Sequence, residues 1–303
     1  MDTSIHPDLK SLLRLRYETH GFSLLPRQPV HSLLSGRHAS RLRGRGLTFE
    51  ELRRYQAGDD VRLIDWKATA RKRAAHVRVF TEERDRPVLL VVDQRSPMFF
   101  GSQRTTKATA AAEVAALAAW RAIEVGDRVG AIIFGDDECV TIRPQRSRRT
   151  VLRICHELVR LNRRLSATGG TSPTIGLNDA LQSALNVARH DFLVVLVTDY
   201  HGHDAETQSL ATRLAAHNDV LAVLVYDPLG IRVPVSGHMR VSDGINSTEV
   251  PSGPAFAGRF EEEFRSHSMQ IRNLLKSIRI PVLPICTHDE VPKQLFDALG
   301  RSS

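Results

Sequence analysis

Three short polar clusters follow apolar runs or precede helical segments: Asp93-Gln94-Arg95-Ser96-Pro97-Met98, Gly169-Gly170-Thr171-Ser172 and Thr198-Asp199-Tyr200. Carboxylates and hydroxyls brought together from separate loops can cap helices and strand ends, or form a surface that binds a ligand. Asp59, Asp60 and Asp65 add three carboxylates, and Asp199-Tyr200-His201-Gly202-His203-Asp204 adds two histidines. Such residue types serve metal-dependent enzymes, which is one functional reading. The other is that His201 and His203, one residue apart in a loop after a strand, are surface or local hydrogen-bonding groups. No serine elbow, P-loop or G-x-G-x-x-G segment is present. No catalytic residue is therefore assigned, and the chain reads as non-enzymatic. Cys139, Cys155 and Cys286 are odd in number, widely spaced and without a C-x-x-C pair. They suit neither a disulfide framework nor a zinc site, and read as small core residues in a reducing compartment.

The elements that must position these clusters are legible from residue 87 onward. Val88 to Val92 is a continuous apolar run ending in Asp93, the pattern of a buried parallel strand with a polar residue at its carboxyl end. An alanine-rich helix is expected over about 107–125. Arg128 to Phe134 and Glu138 to Arg143 read as strands of a hairpin around Gly135-Asp136-Asp137. Helices are expected at 147–162 and 174–189, with a loop at 165–173. Phe192 to Val197 is a second buried strand, ending at Thr198 and Asp199, and a helix is expected next at 204–217. Val220 to Tyr226 is a third apolar strand. Residues 227–255 are rich in Gly, Pro and Ser, with a strand-like piece at 239–242. A charged helix at 257–279, a strand at 281–286 and a helix at 291–299 complete the chain. Wholly apolar strands alternating with helices predict an α/β fold with a mostly parallel, Rossmann-like sheet covered on both faces. Ligands of such sheets sit outside the carboxyl ends of the strands, where Asp93 and Asp199 fall.

The N-terminal third has a different character. Residues 1–20 suggest a short helix, 21–50 are rich in Arg, Gly and Ser and read as loop or partly extended, and 51–86 hold the densest pattern of the sequence. The net charge of +8 is concentrated here: residues 1–87 carry 18 Lys and Arg against 11 Asp and Glu. That excess suits an acidic partner or a solvated surface. The run from Arg37 to Arg45 would also suit nucleic-acid phosphates, but it lacks interleaved aromatics for base stacking, so no nucleic acid is expected. No stretch approaches the roughly 18–20 apolar residues of a membrane helix, and the charged N-terminus lacks the apolar middle of a signal peptide. A short helix with an arginine cluster is too small to insert strongly by itself. A cytoplasmic protein is expected.

The strand-end clusters resemble the metal-ion-dependent adhesion site of von Willebrand factor type A domains. There, an Asp-x-Ser-x-Ser loop, a threonine on a second loop and an aspartate on a third hold one divalent cation. The resemblance implies a domain of that type over 87–303 and a candidate Mg²⁺ site at Asp93, Ser96, Thr171 and Asp199. Mg²⁺ takes hard oxygen ligands in an octahedron. Asp93, Thr171 and Asp199 match, whereas the two serines fall on Arg95 and Pro97, and Ser96 is out of register. Proline has no side-chain oxygen, and arginine is a permanent cation. The Arg95 guanidinium is therefore expected to replace the metal and pair with Asp93 or Asp199. On this reading no cofactor is needed, and Asp93, Arg95, Ser96, Thr171 and Asp199 form a partner-binding surface.

Residues 53–71 read R-R-Y-Q-A-G-D-D-V-R-L-I-D-W-K-A-T-A-R. The string R-x-Y-x-x-G-D-D-x-R-x-I-D-W-x-x-x-A-R resembles the signature of the bacterial domain-of-unknown-function family 58. The upstream GRGLTFEELR and downstream HVRVFTEERDRP strengthen the likeness, which runs from about residue 30 to about 290. The family typically joins this segment to a von Willebrand factor type A-like domain, and its members are often encoded beside MoxR-type AAA+ ATPases. The resemblance implies an adaptor that works with such an ATPase on a client protein. Physically, Gly58 permits a turn, and Asp59 and Asp60 can cap the residues after it. Arg53, Arg62 and Arg71 can form bidentate pairs with Asp59, Asp60 and Asp65. Trp66, Ile64 and Tyr55 can bury apolar area together. The segment is thus either a knot fixing an N-terminal extension, residues 1–86, to the sheet domain, or a docking surface for the ATPase.

Overall fold

The computed structural model describes residues 5–22, 24, 47–56, 59–72, 74–82, 86–166, 173–230, 239–242, 247–250 and 254–300. In chain order the first elements are α1 (Leu9–Arg14), β1 (Leu47–Arg54), α2 (Trp66–Lys72), β2 (His76–Glu82), β3 (Val88–Asp93), α3 (Lys107–Glu124), β4 (Val129–Phe134) and β5 (Cys139–Gln145). Then come α4 (Arg148–Asn162), α5 (Leu177–Val187), β6 (Leu193–Thr198), α6 (Ala205–Ala215) and β7 (Asp219–Tyr226). The last are β8 (Met239–Ser242), β9 (Ser247–Val250), α7 (Pro254–Ser277), β10 (Val282–Cys286) and α8 (Val291–Leu299).

Six strands form one sheet in the order β10-β7-β6-β3-β4-β5, parallel except for β5, which returns antiparallel to β4 as the expected hairpin. Strand residues alternate between two cores. Val88, Leu90 and Val92 of β3 face one, with α1, α3, α4 and α8, while Leu89 and Val91 face the other, with α5, α6 and α7. Two covered faces explain why the strand is apolar at every position. The α3 helix begins at Thr106, whose hydroxyl accepts the Thr109 N–H, and its run of buried alanines lets it lie close to the sheet. The chain passes from β3 to β4 through α3, then returns across β3 to β6 through α5 on the opposite face. The carboxyl ends of β3 and β6 therefore lie at the point where strand order reverses, where open α/β sheets form a crevice. Among the described residues, no helix is long and apolar enough to cross a membrane.

The segment expected as one extension over 1–86 divides in two. Compact units are formed by Met1–Val30 with Arg86–Ser303, and by His31–Asp85. Leu12 and Phe22 are buried in the same core as α3, and the Trp120 indole donates to the Leu12 carbonyl at 3.3 Å. Thr106 and Thr109 hydroxyls donate to the Ile5 carbonyl. Apolar burial thus ties the first residues to the sheet.

In the second unit, β1 pairs antiparallel with β2, with a register irregularity between Phe49 and Glu51. The β1 strand was not legible as such, because LTFEELRR lacks strict apolar–polar alternation and its partner lies more than twenty residues downstream. β9 was likewise not foreseen, whereas β8 coincides with the expected piece at 239–242. Cys139, Cys155 and Cys286 are all free, and burial pushes the Cys155 thiol up to about 12, which makes it inert at neutral pH.

Candidate functional site

The carboxyl end of β3 delivers Asp93 fully buried, and the chain turns at once so that Arg95 folds back onto it. The Arg95 Nε and Nη2 donate to the two Asp93 oxygens at 3.0 and 2.7 Å, a bidentate pair. The Arg95 backbone N–H adds a bond to Oδ1 at 3.0 Å, and the Thr198 hydroxyl, at the end of β6, donates to Oδ2 at 2.7 Å. Arg95 Nη2 also donates to the His201 carbonyl at 3.2 Å, and its Cζ lies 5.2 Å from the Phe134 ring centre. Burial disfavours the cation, but Asp93, with Asp199 and Asp136 nearby, outweighs this and holds the guanidinium more basic than usual. Of the two partners expected for Arg95, Asp93 is the one it binds.

Asp199 is served by another cation. Lys107 Nζ, at the start of α3, lies 2.5 Å from Asp199 Oδ2, and the His201 backbone N–H donates to Oδ1 at 2.9 Å. Burial would raise the Asp199 carboxyl, yet Lys107 and the His201 N–H bring it below the ordinary range. The turn that makes this possible places Tyr200 at φ +62° and Gly202 at φ +78°. Ser96 turns away from both carboxylates: its backbone N–H donates to Asp136 Oδ1 at 2.8 Å and its hydroxyl to Oδ2. Thr171 lies outside the described residues. The structure thus joins Asp93 and Arg95, brings Asp199 alongside with its own lysine, and holds Ser96 on Asp136.

A Mg²⁺ ion needs carboxylate and hydroxyl oxygens free to face it. Here the oxygens of Asp93 are occupied by Arg95 and Thr198, Asp199 is bound by Lys107 and His201, and Ser96 is spent on Asp136. A permanent cation also stands against the central carboxylate. Among the described residues, these donors do not fit a divalent ion. The histidine cluster is used locally as well: His203 Nδ1 is 3.0 Å from the Tyr200 carbonyl, and Asp204 caps α6 by accepting the Thr207 N–H at 2.8 Å.

Sequence reasoning missed Lys107 and Asp136 as members of this site, placed Thr198 in its cluster without a role, and missed a second strand-end cluster altogether. Asp227, just after β7, accepts the Ser102 hydroxyl at 2.6 Å and backbone N–H at 2.9 Å, and the Thr287 hydroxyl at 2.5 Å. His288 Nε2 is 2.8 Å from Ser102 Oγ. Burial would raise Asp227, but these donors and the Leu229 N–H leave it below its usual value. A carboxylate so stabilised is a poor base for activating Ser102. The available signal was the one that marked Asp93, a carboxylate directly after an apolar strand.

The signature segment lies in the second unit. Arg53 Nη2 pairs with Asp59 Oδ1 at 2.8 Å, and the Gln56 N–H donates to Oδ2 at 2.8 Å. The Gln56 bond, followed by Arg53, holds the Asp59 carboxyl below its ordinary range. The other two carboxylates also take backbone donors. Asp60 accepts the Arg62 backbone N–H at 2.9 Å, and Asp65 accepts the N–H groups of Lys67 and Ala68 at the start of α2. A short carboxylate beside a helix start finds ready backbone donors. Arg62 and Arg71 are exposed. The expected burial of Trp66 with Tyr55 and Ile64 is also corrected: Trp66 is 70% exposed and Tyr55 is exposed, while Ile64 is half-buried and bridges to Val77. Gly58 lies outside the described residues.

Fold and site together define an α/β protein with a mostly parallel, Rossmann-like sheet and buried charge pairs at the carboxyl ends of β3 and β6. The chain belongs to the family described as "Protein of unknown function DUF58", whose model matches residues 51–270. It is 28% identical over 270 residues to the uncharacterized proteins Rv1480 of Mycobacterium tuberculosis and Mb1516 of Mycobacterium bovis, covering 87% of this chain and 82% of theirs. Among solved structures it is similar to the conserved hypothetical protein BatB from Bacteroides thetaiotaomicron, at 16% identity and a TM-score of 0.39 over 64% of this chain and 98% of that one. An uncharacterized membrane spanning protein from Vibrio fischeri matches at 17% identity and a TM-score of 0.24, over 65% and 98% of the two chains.

Proposed function

We propose that this protein is a non-enzymatic, cytoplasmic binding module of the von Willebrand factor type A kind, which partners a MoxR-type AAA+ ATPase in assembling or activating a client protein. The observation that carries the reading is the exposure of apolar side chains within the signature segment. Trp66, Val61, Leu63 and Tyr55 all stand at the surface, with exposed Arg62 among them in sequence and exposed Arg71 just beyond. Solvent-exposed apolar residues rimmed by charge mark protein-binding surfaces, and Trp, Tyr and Arg dominate their energetics. The Arg95–Asp93 pair supports the same reading, because a guanidinium in the cation's place leaves recognition to direct charge pairing without a metal bridge. The test is affinity capture with the tagged chain from cells of its source, beside Trp66→Ala and Arg95→Ser. Recovery of an AAA+ ATPase by the wild type and its loss with Trp66→Ala is the expected result. Equal recovery by Trp66→Ala would move the contact away from the signature segment, and the absence of any AAA+ ATPase would defeat the adaptor reading.

A further inference from the structure

The outer strand β5 lies apart from the strand-end site and has a chemistry of its own. Among the described residues β5 pairs with β4 alone, so one backbone edge is open. The regular part of the pairing runs from Cys139 to Ile142, and the register breaks at Arg143-Pro144 opposite Gly130. A groove of about 420 Å³ lies on the α4 side of the strand, lined by Thr141, Arg143, Arg149, Thr150 and Arg153. A second, of about 510 Å³, lies on the α5 side, lined by Arg143, Pro144, Asn186, Val187 and Phe192 among others.

The charge beside this edge is one-sided. Arg143, Arg148, Arg149 and Arg153 fall within eleven residues that contain no acid, and all four are exposed. Farther along α4 the pattern changes: Arg160 pairs with Glu138 and Glu157, and Arg164, just past the helix, with Asp137 and Glu138. Like charges crowded together repel one another and are retained at a cost to the compact state.

We propose that β5 docks an extended acidic segment of a partner protein, which adds to the sheet as a seventh strand. Its backbone pairs with the open edge, and its side chains alternate between the two grooves because strand residues point to opposite faces in turn. Carboxylates at every second position reach Arg149 and Arg153 on the α4 side, while the intervening residues are apolar and meet Val187 and Phe192 on the α5 side. Nucleic acid would satisfy the arginines but leave the strand's open N–H and C=O groups unused.

The test is fluorescence anisotropy of the full chain with a fluorescein-labelled peptide of about ten residues alternating glutamate and valine. Binding is expected, weakening with added salt. Loss of the charge-assisted bonds in the double variant Arg149→Ala with Arg153→Ala is expected to reduce affinity about a hundredfold. Both side chains are exposed, and an unchanged circular dichroism spectrum confirms the fold. Two further peptides, each N-methylated at one alternate set of residues, leave the protein untouched; one of them is expected to lose affinity at least about tenfold, because one set carries the N–H groups that pair. Equal binding by both methylated peptides, together with equally tight binding of a short DNA duplex, would overturn the added strand in favour of a general polyanion surface. Failure of the unmodified peptide to bind would also overturn it.

Discussion

Replacing Arg95 with methionine removes a cation from a place that water cannot fill. Asp93 is fully buried and the Arg95 side chain is only 5% exposed. The substitution deletes guanidinium bonds of 3.0 and 2.7 Å to Asp93 and one of 3.2 Å to the His201 carbonyl. It leaves Asp93 with the Thr198 hydroxyl and the backbone N–H of residue 95. Breaking a buried ion pair from one side costs ~3–5 kcal/mol, since the remaining charge stays desolvated. Domains are stable by only ~5–15 kcal/mol, so the loss is a large share of the total. Combining Asp93→Asn with Arg95→Met removes the stranded charge and keeps an acceptor for Thr198. The double variant is therefore expected to be more stable than the two single losses predict, with a coupling of ~2 kcal/mol or more. The assay is urea denaturation followed by tryptophan fluorescence in a Trp66→Phe background, so that buried Trp120 reports on the sheet unit alone. A loss below ~1 kcal/mol for Arg95→Met, or strictly additive losses in the double variant, would refute the claim that this pair acts as a desolvated unit.

Three further outcomes are expected. Arg95→Ser, which introduces a hydroxyl and removes the cation on Asp93, should raise Mg²⁺ affinity at least about tenfold by calorimetric titration; unchanged affinity would mean that Arg95 does not stand where a metal would. Asp199 and Asp227 both lie below the ordinary carboxyl value of 3.8, so the unfolded chain takes up their protons first as the pH falls. Their contribution to stability is complete above that value and is lost below it, as the pH drops through their folded pKa values. The stability gap between wild type and Asp227→Asn should therefore hold from about pH 8 to 5 and close only below about pH 4; closure near neutrality would contradict the assignment. Finally, a Cβ at Gly130 would lie 2.5 Å from the Ile142 carbonyl oxygen and 2.6 Å from Pro144 N. Gly130→Ala should push β5 away from β4 at a cost of ~1–3 kcal/mol, read by thermal unfolding, and the close approach is disproved if stability is unchanged.

The apolar runs Val88 to Val92, Phe192 to Val197 and Val220 to Tyr226 announce their own burial, because a strand covered on both faces admits no polar position. With the helices between them they determine the α/β class and place Asp93 and Asp199 at strand ends without reference to any tertiary contact. The signature at 53–71 determines family membership in the same local way. Which groups meet at those ends is another matter, since it depends on how the strands are ordered. Lys107 reaches Asp199 because α3 begins beside the end of β6, and Thr198 reaches Asp93 because β6 lies next to β3. Nothing in the spacing of residues 93, 107 and 198 encodes that adjacency. The departure from the metal-site pattern at residue 95 was visible as a change of residue type, but the choice between Asp93 and Asp199 as its partner rested on the turn that aims the guanidinium. Residue type misled at Trp66, where a large aromatic ring, ordinarily a core residue, stands at the surface. Burial of a single side chain on a short helix is decided by what packs over it, and that is a property of tertiary structure alone.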